Sequence, residues 1–123
     1  MASLYDLVGE QWFTDLVDRF YDRVAADEVL RPLYPEDLAP SRAHLAGFLV
    51  QYWGGPTDYS DERGHPRLRM RHMPFAIGRR ERDAWFAHMA ASVREGGLAP
   101  EVEEQVIAYF ENAATHLVNT GES

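Results

Sequence analysis

The chain has 123 residues, 46% hydrophobic and 26% charged, enough for one domain spanning 1–123 with a modest buried core. It has no cysteine, which removes disulfides, thiolate metal sites and thiol nucleophiles. Its net charge is −8, yet all basic residues are arginine and seven of them fall between Arg63 and Arg82. One cationic belt on an acidic protein is a poor nucleic-acid surface, no apolar run is long enough to span a bilayer, and the start lacks the features of a secretion signal. A cytoplasmic location is expected.

In chain order the pattern is helical. Ser3 with Asp6 reads as a reciprocal cap on a short first helix that Gly9 punctuates. A long amphipathic helix follows, with Phe13, Leu16, Val17, Phe20, Tyr21 and Val24 on one stripe; Trp12 beside that stripe marks either an interface or a core edge. A short turn from Glu28 to Leu33 leads to Tyr34-Pro35, where the proline pushes the tyrosine toward extended geometry at a corner. The next helix carries Ser41, Leu45, Phe48, Leu49 and Tyr52 on one face and stops at Trp53-Gly54-Gly55-Pro56.

Residues 57–66 are polar and rich in turn formers, and a short helical turn then ends at His72, before Met73-Pro74. From about Arg79 to Arg94 another helix turns Trp85, Met89, Ser92 and Val93 inward and ends at Gly96-Gly97. A last helix begins near Pro100 and buries Val102, Val106, Tyr109, Phe110, Ala113 and Leu117. The expected class is all-α.

Five histidines are present, at 44, 65, 72, 88 and 116, and none pair at the spacing of a hydrolytic zinc helix. A protein-only zinc or di-iron site is not expected. What the chain could hold is haem, which brings four nitrogens of its own and asks for one histidine. Leu45, Phe48, Leu49, Phe75 and Met89 are candidates for an apolar slot, and Arg67, Arg69, Arg71 and His65 for partners of the haem carboxylates. His72 is the candidate iron ligand, with the Leu68 carbonyl one turn back as acceptor for its second ring nitrogen. Spacing alone also reads His72 as a helix cap, Tyr21 and Trp85 as core residues and Tyr34 as a packed corner.

Taken in order, Arg19-Phe20-Tyr21, the run from Val29 to Asp37, Gln51-Tyr52-Trp53-Gly54-Gly55-Pro56, the run from Gly64 to His72, and Arg82-Asp83-Ala84-Trp85 closely resemble the group II truncated haemoglobins of bacteria. The resemblance covers nearly the whole chain. It implies a truncated globin, a two-over-two helical sandwich around non-covalent haem b, with His72 at the proximal iron ligand and Tyr21, Tyr34 and Trp85 on the ligand-binding side. The usual distal histidine position falls on Ser41, with Leu45 one turn later, and His44 lies toward the rim or solvent.

Phenol and indole donors favour a ligand that gathers negative charge, and a hydrogen bond to a charged partner contributes about 1.5–3 kcal/mol. Tight, slow-release oxygen binding is therefore expected, suited to redox chemistry with nitric oxide or peroxide more than to oxygen transport. The activities in view are nitric oxide dioxygenase-like and peroxidase-like, fed by an unidentified reductase, with carbon monoxide as a further ligand. The alternative is a haem-based sensor acting through a partner without turnover.

Overall fold

Local capping chemistry sets the helix boundaries. The computed structural model describes residues 3–55 and 78–116. Among these are four α-helices, α1 (Leu4–Ala25), α2 (Ala39–Tyr52), α3 (Arg79–Arg94) and α4 (Pro100–His116), with one 3-10 turn at Arg31–Leu33 and no strand. None of the described helices is long and apolar enough to cross a membrane.

At the start of α1 the Ser3 N–H donates to Asp6 Oδ2 at 3.2 Å and the Asp6 N–H donates to Ser3 Oγ at 3.1 Å, the reciprocal cap expected from the sequence. Gly9 then adopts φ 80°, ψ 170° and kinks α1 into a short entry and a long rod. A Cβ added there would meet no atom within 4 Å, so the constraint is backbone alone. Gly9→Ala should therefore lower stability by about 1–3 kcal/mol, read as a lower urea midpoint with unchanged slope.

The rod buries Phe13, Leu16, Val17, Phe20, Tyr21 and Val24, the expected stripe. Trp12 proves to be a core edge: it is half-buried and its indole N–H donates to the Gly96 carbonyl at 2.9 Å, tying α1 to the turn between α3 and α4. At the far end of α2, Gly54 sits at φ 101° and the Tyr5 N–H donates to the Trp53 carbonyl at 3.0 Å. The exit of α2 thus closes against the entry of α1.

One face differs from its expectation. Leu49 and Val50 are the buried residues of α2, Leu45 and Phe48 are half-buried, and Tyr52 is 53% exposed. Val50 takes the inward place at the helix end, and the Tyr52 ring lies outside against Tyr109 of α4, with centroids 4.4 Å apart. On α3, Met89, Ala90, Ser92 and Val93 are buried and Trp85 is half-buried. On α4, Val106, Phe110 and Ala114 are buried, while Val102, Tyr109 and Ala113 are half-buried; Leu117 lies outside the described residues. Helix α1 packs on α2 and α3, and α3 packs on α4.

Candidate functional site

Three separate elements deliver the aromatic donors to one place. Tyr21 comes from the inward stripe of α1, Tyr34 from the corner after the 3-10 turn, and Trp85 from the second turn of α3. The Tyr21 and Tyr34 rings meet edge to face with centroids 5.5 Å apart, and Phe20 bridges Tyr21 (5.1 Å) to Trp85 (5.4 Å). Tyr34 has the extended backbone expected before Pro35, φ −113°, ψ 154°.

The corner is held in that shape. The Arg31 guanidinium donates to the carbonyls of Tyr34 (3.3 Å), Pro35 (2.8 Å) and Glu36 (2.7 Å). Upstream, Asp27 Oδ1 accepts from the Val29 and Leu30 N–H groups at 2.7 and 2.9 Å, and Oδ2 meets His88 Nε2 at 2.5 Å. His88 lies one turn beyond Trp85 on α3. The pair Asp27–His88 therefore ties the segment bearing Tyr34 to the helix bearing Trp85.

The hydrogen bond to His88 holds the Asp27 carboxyl below its ordinary 3.8, with help from Leu30 and Val29 against the opposing effect of burial. A carboxyl whose folded pKa is depressed stabilises the fold above its unfolded pKa and loses that contribution as pH falls through the folded one. The urea midpoint should fall as pH drops below about 4, and it should fall less in Asp27→Asn, which begins lower at neutral pH.

Burial dominates both phenols. It pushes Tyr21 far above the usual tyrosine range, with Tyr34 adding to the rise and Arg42 and Ser41 opposing it. Tyr34 is pushed up to about 12, against the Trp85 indole N–H and the Tyr21 hydroxyl, which favour its anion. Both remain phenols, able to donate, throughout the neutral range. Arg42, one residue past Ser41 on α2, sits 5.7 Å from the Tyr21 ring centroid and is clamped by Asp18 and Asp22, each at 3.1 Å. Burial works against its charge, but the two carboxylates outweigh that and hold its pKa up.

Of the other candidates, Ser41 is half-buried on the first turn of α2, within electrostatic reach of Tyr21. Leu45 and Phe48 pack partly buried against the core, and Leu49 and Met89 are fully covered, at 1% and 0% exposure. Arg67, Leu68, Arg71, His72 and Phe75, together with His65 and Arg69, lie outside the described residues. Among the described residues no group of three or more His, Asp or Glu side chains could hold a metal ion by itself.

The sequence reading missed Arg42 and the Asp27–His88 pair. For Arg42 a signal existed: Asp18 and Asp22 stand one turn apart on the polar side of α1 and call for a cation. For Asp27 and His88, 61 residues apart, there was none.

The bacterial-like globin family model matches residues 3–119. The chain is 41% identical over 119 residues to the group 2 truncated haemoglobin YjbI of Bacillus subtilis, covering 97% of this chain and 90% of that relative. It superposes with a TM-score of 0.94 on a thermostable haemoglobin from the actinobacterium Thermobifida fusca, at 52% identity over 98% of this chain and 99% of that one. With the truncated oxygen-avid haemoglobin from Bacillus subtilis the TM-score is 0.89, at 41% identity over 95% and 99% of the two chains. Matches in sequence and in helix arrangement both run almost end to end, so the chain belongs to the bacterial-like globins, as a group II truncated haemoglobin with an all-α, two-over-two fold.

Proposed function

We propose that this protein binds haem b non-covalently, with His72 as the iron ligand, and retains oxygen through Tyr21, Tyr34 and Trp85. The observation that carries the reading is the convergence of two protonated phenols and an indole from three elements. That donor set suits haem: hydrogen-bond donors gather at one place, and the half-buried Leu45 and Phe48 pack against the same core. When bound, haem supplies an iron centre that coordinates a diatomic ligand and shifts electron density onto it.

The chain's own residues would then do the selecting. Tyr21, Tyr34 and Trp85 donate toward the charge gathered on the ligand, and because burial and the Asp27–His88 tie place them beforehand, little reorganisation is spent on doing so. Leu49 and Met89 belong to the core behind these residues. Arg67 and Arg71 would pair with the haem carboxylates, the Leu68 carbonyl would accept from His72, and Phe75 would add apolar contact. Neutral ligands such as carbon monoxide gain less from these donors than oxygen does.

Strong retention of oxygen disfavours delivery and favours its use in place, in redox chemistry with nitric oxide or peroxide. The oxygen-avid haemoglobin from Bacillus subtilis supports the strong retention. The test begins with haemin titration, which should give a Soret band at one haem per chain. Oxygen release from the reduced protein should then be slow and should speed up about ten- to a hundredfold in Tyr21→Phe, the loss of one hydrogen bond to a charged partner. An unchanged release rate in that variant would remove Tyr21 from the mechanism.

A further inference from the structure

Trp85 also opens a second line of aromatic rings, which crosses α4 and ends on α2 at Tyr52, itself stacked on Phe48 at 6.2 Å. Its ring centroid lies 5.9 Å from that of Phe110, and Phe110 lies 5.7 Å from Trp53 and 5.3 Å from Tyr109. Trp53 and Tyr109 are 4.8 Å apart. Tyr52 completes the line at 4.4 Å from Tyr109 and 5.1 Å from Trp53. Each step is a ring-to-ring contact, and Tyr52, the last member, is 53% exposed.

The members differ in what they do with a lost electron. Phe110 resists oxidation and serves only as a bridge between Trp85 and the pair Trp53 and Tyr109. An indole can carry a hole as a cation without passing its proton on at once, but a phenol must shed its proton as it is oxidised. Tyr109 is badly placed for that, since burial, aided by Tyr52, pushes its phenol up to about 12. The phenol of Tyr52 can give its proton to water, so the hole settles at the surface.

We propose that Trp85, Trp53, Tyr109 and Tyr52 form a relay that carries oxidising equivalents from the pocket to a surface redox site at Tyr52. There it would oxidise a one-electron donor too large to enter the pocket. The proposal rests on the haem reading above and takes hydrogen peroxide as the oxidant. Reducing one hydrogen peroxide to two waters consumes two electrons and two protons. Each passage sends one electron inward from Tyr52, bridged at Phe110, to refill Trp85, and releases the Tyr52 phenol proton to solvent, leaving a neutral phenoxyl radical. A bulky one-electron donor returns an electron to that radical and solvent returns the proton, restoring the phenol, and a second passage with a second donor completes the reduction.

The experiment treats the haem-loaded protein with hydrogen peroxide and the spin trap 2-methyl-2-nitrosopropane, then maps the covalent adduct by mass spectrometry. The wild-type adduct should sit on Tyr52. Trp53→Phe combined with Tyr109→Phe should remove most of it while the Soret band and the initial consumption of peroxide persist. If that pair does not fold, Tyr52→Phe decides alone: oxidation of the bulky dye ABTS should be lost and trapped radicals should fall back onto the buried aromatics.

Three outcomes overturn the relay: wild-type adducts confined to Tyr21, Tyr34 and Trp85, a Tyr52 adduct undiminished in the double variant, or full dye oxidation by Tyr52→Phe. A protein with no Soret band overturns the haem reading and the relay together, so the two failures are told apart before peroxide is added.

Discussion

Phenylalanine at both Tyr34 and Trp85 is expected to speed oxygen release by about a hundredfold or more, exceeding the product of the two single replacements. Each donor lost to a charged partner removes about 1.5–3 kcal/mol, and 1.4 kcal/mol is about tenfold in rate. The excess comes from sharing. The Trp85 indole N–H and the Tyr21 hydroxyl both act on the Tyr34 oxygen. With Tyr34 gone, both are free to turn wholly toward the ligand, so the single variant understates what Tyr34 does. Removing Trp85 as well takes that reserve away.

Phenylalanine keeps a ring in place at both positions, preserving contacts such as those of residue 85 with Phe20 at 5.4 Å and Phe110 at 5.9 Å. Stopped-flow displacement of oxygen by carbon monoxide, with a thermal melt to check the fold, measures the effect. Strictly additive free energies would exclude shared donors. The wild-type release rate should also stay flat through about pH 10, where an ordinary tyrosine begins to ionise, because burial pushes the Tyr34 phenol up to about 12.

What was legible in the sequence is what is local in the fold. The Ser3 and Asp6 cap, the kink at Gly9, the corner at Tyr34-Pro35 and the exit of α2 after Tyr52 are each written within a few consecutive residues. Trp12 could not be placed that way, because its partner, the Gly96 carbonyl, is 84 residues distant. The same limit hid the tie from Asp27 to His88 and the identity of Arg42 as the cation that the neighbouring Asp18 and Asp22 call for. Tyr52 shows a second limit: helical period marks a stripe but not its edge, and Val50 took the inward place.

The pocket followed the same division. Spacing reads Tyr21 and Trp85 as core residues and Tyr34 as a packed corner, which fits any helical domain. Their juxtaposition depends on α1, a corner and α3 packing together, so it came first from resemblance and then from the ring contacts.

His72→Gly is expected to weaken haem binding by more than about a hundredfold, since loss of a group that merely supports a ligand already costs 10- to 100-fold. Two of the described histidines, His88 and His116, do not offer a ready substitute. His88 is engaged with Asp27 at the corner, and His116 contacts the Asn112 carbonyl at 2.8 Å on the exposed end of α4. Apolar contact with Leu45 and Phe48 would still draw haem to the protein, so the expected phenotype is a shifted Soret band and rapid transfer of haem to apomyoglobin, not complete absence of binding. Added imidazole should restore the band by filling the missing coordination position. Because Tyr21, Tyr34 and Trp85 belong to α1, the corner and α3, and none of them is altered, the rescued protein should also regain slow oxygen release. A normal band in His72→Gly without imidazole would place the iron ligand elsewhere. Rescue of the band without rescue of the release rate would mean that the slow rate comes from the iron side and not from the phenols and the indole.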